Sequence, residues 1–390
     1  MTIIDVDSHF YEPFDWLEQT DPALAAEIPK IDIVTLMTTS IAGDLLASLP
    51  PELRPAPETL LPDRVRALAD KYRNASMTEI AKALQEMQGG SNILAQGAHD
   101  ARDRLAFMDA RGVDAQFILP TFAFRAVTAI RRVDPSRTLR TIEAYNTWAA
   151  GATLGHTDRL MQSTMIDIAD VDWAVRELTR TRALGSRSFS ISATPQRGRS
   201  LAHADYDRLW AAAVDLGMIT IMHVGGGRPT LDPGWANAQG DFSELALLTF
   251  SLVHHVPQVA LNAMIFGGVF ERHPKLQVIV AEFGVGWAPF WLANLQTVTQ
   301  IGLFKPALDR LSLAPIEYAR RNVKFTPLPD MDVSELVRGT GEDMVVFSSD
   351  YPHPEGSADA VDHYNEALKD FPDSTRRKFF GETTRALLAA

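Results

Sequence analysis

With 390 residues, 46% of them hydrophobic, the chain can bury a sizeable core as one large domain or two ordinary ones. Acidic residues outnumber basic ones by 49 to 37, the formal net charge is −12 and no Lys/Arg run is clustered, which argues against a nucleic-acid partner. The absence of cysteine excludes disulfides, thiolate ligands and a Cys nucleophile, so any metal must be held by His, Asp or Glu.

The first regular element is a strand, Ile3-Ile4-Asp5-Val6-Asp7-Ser8-His9, in which side chains two apart point the same way, so Asp7 and His9 project together at its end. A Pro-rich stretch follows to about residue 100, with helices predicted near 63–74 and 77–87. So long an excursion reads as an insertion over a binding face, a lid or an oligomer contact. A helix from Asp100 carries Arg104, Leu105, Met108 and Asp109 and stops at Gly112. Strand two is predicted at 113–120, a long helical region at 134–154, strand three at 160–167, a helix at 171–183 and strand four at 186–192. A helix at 206–216 then leads to strand five at 218–223, ending in His223. After an irregular Gly/Pro loop to about Gly240, a helical run passes His254 and His255 to Phe270. Strand six at 276–281 ends at Glu282, a helix covers 287–303, strand seven is 323–326 and strand eight 344–348, followed by Asp350; the tail from Ala358 is helical. Eight strands alternating with helices predict an α/β fold, a single (β/α)8 barrel over 1–390 with residues 20–100 as insertion or lid; a doubly wound open sheet is the alternative.

Barrel enzymes carry their chemistry at the C-terminal ends of the strands. Those ends supply Asp7 and His9 on strand one, His223 on strand five, Glu282 on strand six and Asp350 on strand eight. Each has an ordinary structural explanation on its own, as a strand cap, a hydrogen-bonded His or an Asx turn; together they form a donor set for a divalent ion. Gly225-Gly226-Gly227 after His223 would let a substrate approach the backbone.

These residues resemble the amidohydrolase superfamily, and within it the branch of aminocarboxymuconate semialdehyde decarboxylase, resorcylate decarboxylases and carboxyvanillate decarboxylase. The resemblance rests on Asp5-Val6-Asp7-Ser8-His9, Met108-Asp109 with Gly112-Val113-Asp114, the run from Gly268 to Leu276, Glu282-Phe283-Gly284-Val285-Gly286-Trp287 and Ser349-Asp350-Tyr351-Pro352-His353. It implies that Asp7 takes a position held by His or Glu in better-known members, and that His9, His223 and Asp350 match the remaining metal positions. The decarboxylases of this branch have a proton-handling His at the end of strand six, where this chain has Glu282, with His254 or His255 as a nearby imidazole. No Lys occurs between Lys82 and Lys275, so the carbamylated strand-four Lys that bridges two metals in larger relatives is excluded.

The expected cofactor is one divalent ion (Zn, Mn or Fe) on Asp7, His9, His223 and Asp350, with a second ion on Glu282 and His254 or His255 as an alternative. The expected activity, by resemblance, is non-oxidative decarboxylation of an aromatic or unsaturated carboxylic acid, with Glu282 or His255 as the proton donor and an Arg such as Arg228 pairing with a substrate oxygen. A metal-dependent hydrolase of an amide, lactone or ester, with Asp350 taking the proton of a bound water, is the first alternative. An iron-dependent oxygenase subunit and an inactive structural barrel are the others. His353 is expected beside Asp350 or simply in its turn, and Tyr145, Asn146 and Trp148 behind the barrel. No signal peptide or apolar run of about 18 residues is present, so the expectation is a cytoplasmic protein without membrane contact, a homo-oligomer (a dimer or larger) or a hetero-oligomer, acting on a small carboxylate.

Overall fold

The computed structural model describes residues 1–13, 15–28, 95–225 and 242–389, and besides these residues 67, 227, 229 and 235. Seven parallel strands run in sequence order across one sheet: β1 (Ile4–His9), β2 (Ala115–Leu119), β3 (Leu160–Met165), β4 (Ser188–Ile191), β5 (Ile219–His223), β6 (Val278–Ala281) and β7 (Val323–Phe325). Their short, almost wholly buried runs are what a parallel sheet covered by helices requires. The eighth position is filled by residues 344–351, which form a bonded seam rather than the regular strand expected at 344–348. Val346 N–H donates to Phe325 O (3.0 Å) on one side, while Val6 N–H donates to Phe347 O (3.2 Å) and His9 N–H to Tyr351 O (2.8 Å) on the other. Both edges of the sheet are thereby paired and it closes into a barrel of the (β/α)8 type.

Most helices fall where the sequence places them, for local reasons. Asp100 caps Ala101–Arg111 by accepting from Asp103 N–H (3.0 Å), and Gly112 ends that helix in the left-handed region (φ 70°). Three departures have physical causes. The region expected to be helical at 134–154 is a short 3-10 turn followed by the helix Thr138–Ala152. The run expected to reach Phe270 breaks into Phe242–Ser251, His255–Phe266 and Val269–Arg272, with left-handed Gly268 capping the last piece. A further helix, Phe122–Val133, was not anticipated: Thr121 makes no side-chain cap, and the group that caps it is Glu12, more than a hundred residues away. The helices predicted at 63–74 and 77–87, and most of the 20–100 insertion, lie outside the described residues.

Two apolar layers hold the barrel. An outer cluster, including Phe189, Val278, Val280, Val323 and Phe325, packs the strands against helices, among them Trp210 and Trp291. Asn146 stands behind β3, exchanging hydrogen bonds with the Met165 backbone (2.8 and 2.9 Å). The inner cluster, including Ile4, Val6, Phe117, Ile219, Ile221 and Ile279, fills the lumen, and Leu387 and Leu388 of the last helix pack onto it. Each fully buried Ile or Phe contributes about 1.5–3 kcal/mol, so the lumen is a solid floor beneath the strand ends.

Candidate metal centre and active site

The first strand is bent to its task by a bulge. β1 pairs Asp5 with Gln116 but Ser8 with Ile118, so three steps on β1 face two on β2. Ile4 and Val6 point into the lumen and Asp5 points out, where its carboxylate accepts from Gln116 Nε2 (2.9 Å), Ser349 N–H (3.0 Å) and Ser349 Oγ (2.6 Å). Past the extra residue the alternation is inverted, and Asp7 and His9 turn inward at the mouth. On β5 the alternation is undisturbed: Ile219 and Ile221 face the lumen and His223 continues them upward. Glu282 and Asp350 are brought round by the backbone instead, at φ 62° and 51°, left-handed values that cost a non-glycine residue about 1 kcal/mol or more. Each directs a carboxylate back over the strand ends.

The donors converge in two overlapping groups that share His9: Asp7, His9 and His223, and His9, Glu282, Asp350 and His353. His9 Nε2 lies 3.3 Å from Asp7 Oδ1 and 3.4 Å from Asp350 Oδ1. His223 Nε2 lies 3.4 Å from Asp7 Oδ1 and 3.0 Å from Glu282 Oε2. His353 joins them with Nδ1 2.9 Å from Asp350 Oδ1 and its ring stacked on that of His9 at 3.9 Å, so it belongs to the site and not merely to the turn. In each imidazole the other nitrogen is engaged. His9 Nδ1–H donates to Pro120 O (3.3 Å), His223 Nδ1–H donates to Val224 O (2.8 Å), and His353 Nε2 meets Thr121 Oγ1 (3.0 Å). That fixes the tautomer of His9 and His223 and leaves each Nε2 lone pair aimed inward.

Asp7 Oδ1, His9 Nε2, His223 Nε2, Glu282 Oε2, both Asp350 oxygens and His353 Nδ1 are buried without a hydrogen-bond partner. So dense a group of orphaned donor atoms is expensive unless a cation completes it. The protonation balance says the same. Burial pushes the Asp350 carboxyl well above its ordinary range, and the Glu282 and Asp7 charges push it further. Burial also raises Glu282 to about 7 against the pull of His223. Burial alone would raise Asp7 too, but His223 and His9 outweigh it and hold this carboxyl well below the usual range. Burial opposes charge on His223, yet facing Asp7 and Glu282 it is pushed well above the ordinary imidazole value. Three carboxylates around one point call for positive charge, and with His and carboxylate donors the residues fit a divalent ion.

His254 and His255 stand elsewhere. They open the helix His255–Phe266 with rings 4.5 Å apart, one half-buried and the other exposed, and neither is among the described residues whose ligand atoms converge. The helix that carries them starts after a break, so its facing could not be read from periodicity. Arg228 lies outside the described residues.

Two supporting residues had no role in the sequence reading. Glu12 is fully buried and accepts from the backbone N–H groups of Thr121 (3.0 Å), Phe122 (2.7 Å) and Ala123 (3.2 Å). It thus ties the segment after β1 to the helix after β2. Arg104 is also fully buried; its guanidinium donates to Gly97 O (2.9 Å), Gln116 Oε1 (3.1 Å) and the carbonyl of His9 itself. An acidic residue three positions past a metal-type strand end, and an Arg on an otherwise apolar helix face, were the only signals available.

The amidohydrolase family model matches residues 4–389. The chain belongs to the amidohydrolase family. A 2-amino-3-carboxymuconate-6-semialdehyde decarboxylase from Dictyostelium discoideum is 30% identical over 126 residues, which is 32% of this chain and 34% of that relative. This amidohydrolase therefore aligns with only about a third of that curated relative's length. Among solved structures, an amidohydrolase from Mycobacterium avium subsp. paratuberculosis superposes with a TM-score of 0.68 at 21% identity, covering 100% of this chain and 98% of the other. A 5-carboxyvanillate decarboxylase from Novosphingobium aromaticivorans, solved with bound manganese and 3-methoxy-4-hydroxy-5-nitrobenzoic acid, superposes at 0.65 with 21% identity, covering 100% and 97%. At these identities the structural likenesses establish the fold that the strand pattern predicted. Among the described residues no helix is long and apolar enough to cross a membrane.

Proposed function

We propose that this amidohydrolase is a metal-dependent, non-oxidative decarboxylase of an aromatic or unsaturated carboxylic acid. The observation that carries the reading is the convergence of unpartnered, buried His and carboxylate atoms at the barrel mouth, in a family whose fold neighbours include a manganese-containing carboxyvanillate decarboxylase. Asp7, His9, His223 and Asp350 would hold the ion, and His353 would keep Asp350 in place. When bound, the ion supplies Lewis-acid polarisation of a substrate carboxylate and the oxygen beside it.

Glu282 is the proton donor in this reading. Its carboxyl is buried, unpartnered at Oε2 and held near neutrality, and its left-handed backbone aims it across the mouth. Oε2–H gives its proton to the ring or chain carbon bearing the carboxylate, a C–H bond forms, the C–C bond to the carboxylate breaks and carbon dioxide leaves. No oxidant or reductant enters that balance.

A second reading, hydrolysis of an amide, lactone or ester, is favoured by one observation: a carboxylate, Glu282, stands where the decarboxylases of the branch have a His, and Asp350 offers a second unpartnered carboxylate as base. The deciding experiment loads the protein with manganese or zinc, counts metal per chain by mass spectrometry, and follows carbon dioxide release from a panel of aromatic carboxylic acids beside ester and lactone cleavage. Decarboxylation is expected, with Glu282→Gln reducing kcat by about 10²-fold or more while retaining the ion. Ester or lactone turnover without carbon dioxide release would replace this reading with the hydrolytic one, and a protein that takes up no metal would end both.

A further inference from the structure

The helix Phe122–Val133 begins with an anomaly. Thr121 occupies its N-cap, where a Thr hydroxyl ordinarily accepts from a backbone N–H of the first turn, yet its side chain caps nothing. The Glu12 carboxylate has taken that role, accepting from the N–H groups of Thr121 (3.0 Å), Phe122 (2.7 Å) and Ala123 (3.2 Å). The Thr121 hydroxyl is thereby free to turn toward the donor cluster, where Oγ1 lies 3.3 Å from His9 Nδ1 and 3.0 Å from His353 Nε2.

The two imidazoles span the same pair of groups. They are stacked with centroids 3.9 Å apart, each turning one nitrogen to Thr121 Oγ1 and the other to Asp350 Oδ1, which is 3.4 Å from His9 Nε2 and 2.9 Å from His353 Nδ1. Position does not distinguish the rings; the hydrogen count does. His9 Nδ1 carries a hydrogen, because its other neighbour is the Pro120 carbonyl (3.3 Å), which can only accept. A hydroxyl has one hydrogen to give and cannot give it to a nitrogen that already holds one. Among the described residues the two imidazoles are the hydrogen-bond partners of Thr121 Oγ1, so its hydrogen goes to His353 Nε2.

We propose that Thr121 is the positioning residue that sorts the two stacked imidazoles into opposite tautomers. His9, with its hydrogen on Nδ1, turns the Nε2 lone pair to the ion. His353, accepting at Nε2, holds its hydrogen on Nδ1 beside Asp350 Oδ1 and offers the ion no lone pair. The ion is then held by Asp7, His9, His223 and Asp350, and His353 keeps a fixed hydrogen facing a carboxylate. This rests on the metal centre of the reading above and not on the reaction carried out there. Without the hydroxyl the second tautomer of His353 opens, and its bare Nδ1 would compete for the ion as a fifth donor.

Zinc-loaded, full-length protein with histidine isotopically labelled at its ring nitrogens tests it. Long-range proton–nitrogen correlation spectra show which ring nitrogen carries hydrogen, and the signals lost in His353→Gln identify that residue. His353 of the wild type is expected with hydrogen on Nδ1 and a bare Nε2, and this spectrum alone decides its tautomer. Thr121→Val keeps the shape and removes the hydroxyl, so it should lower the ratio of that tautomer to the other about fivefold or more, as the loss of one hydrogen bond implies. Thr121→Ser should restore the ratio, and melting curves of both variants check that they fold. A wild-type His353 with hydrogen on Nε2 and zinc on Nδ1, or an unchanged ratio in Thr121→Val, would overturn the role of Thr121 and leave the decarboxylase reading standing. A protein that takes up no zinc would overturn both.

Discussion

Asp5 and Asp7 show how far apart two identical side chains two residues apart can be put. Asp5 sits outside the barrel wall, hydrogen-bonded to Gln116 and Ser349; Asp7 sits inside it, within reach of two imidazoles. Removing one inward donor leaves the other buried charges uncompensated, so His223→Ala and Asp350→Ala should each lower bound metal from about one ion per chain to a small fraction of that, read by elemental analysis without chelators. The residue that supports His9 from behind should matter almost as much. Arg104→Met would strand the carbonyls of Gly97 and His9 and the Gln116 oxygen. The expected result is a loss of about 2–4 kcal/mol in urea denaturation and metal affinity weakened about 10–100-fold in a chelator competition, and unchanged affinity would show that Arg104 serves only the core.

Among the elements, β7 carries the least expected side chain. Val323 and Phe325 pack outward, so Lys324, between them, turns toward the lumen, nearly fully buried, with Nζ donating to Arg320 O (3.1 Å) at the end of the helix Pro315–Asn322 and to Val323 O (3.2 Å). Burial pushes its ammonium down from 10.5 to about 8. The unfolded chain therefore holds a proton that the folded chain has released between pH 8 and 10.5. The penalty is fully present below pH 8 and is relieved as the pH rises through that window. Relative to Lys324→Met, the wild type should gain up to about 3 kcal/mol between pH 7 and 10.5 in denaturant unfolding, and a pH-independent difference would refute the assignment. The helix Phe122–Val133 makes a complementary point: its N-terminus is capped by Glu12 from the first strand's exit, so an element after β2 and the segment after β1 stand or fall together.

At the scale of the whole molecule, the barrel is closed above by polar donors and below by the last helix. Gly381 lies against the Thr2 carbonyl, and Leu387 and Leu388 pack on the lumen residues. Truncation after residue 382 should lower the melting temperature by several degrees, about 2–4 kcal/mol of lost apolar burial, without lowering the metal taken up per chain; calorimetry with a metal count checks both. The barrel itself was legible in the sequence because a parallel strand buried on both faces must be a short apolar run, and its end must carry whatever polar residues the mouth needs. Asp7, His9, His223, Glu282 and Asp350 were readable for that reason. His254 and His255 misled because a helix that restarts after a break has no phase inherited from the segment before it. Glu12, Arg104 and the helix at 122–133 were invisible because their hydrogen-bond partners are distant in the chain. Residue type and strand period, both local, thus settled the fold class and named the candidate donors from sequence alone. The tertiary structure decided which donors meet, since that depends on a bulge in β1, two left-handed residues and hydrogen bonds spanning a hundred residues or more, all set by packing rather than by neighbours in the chain.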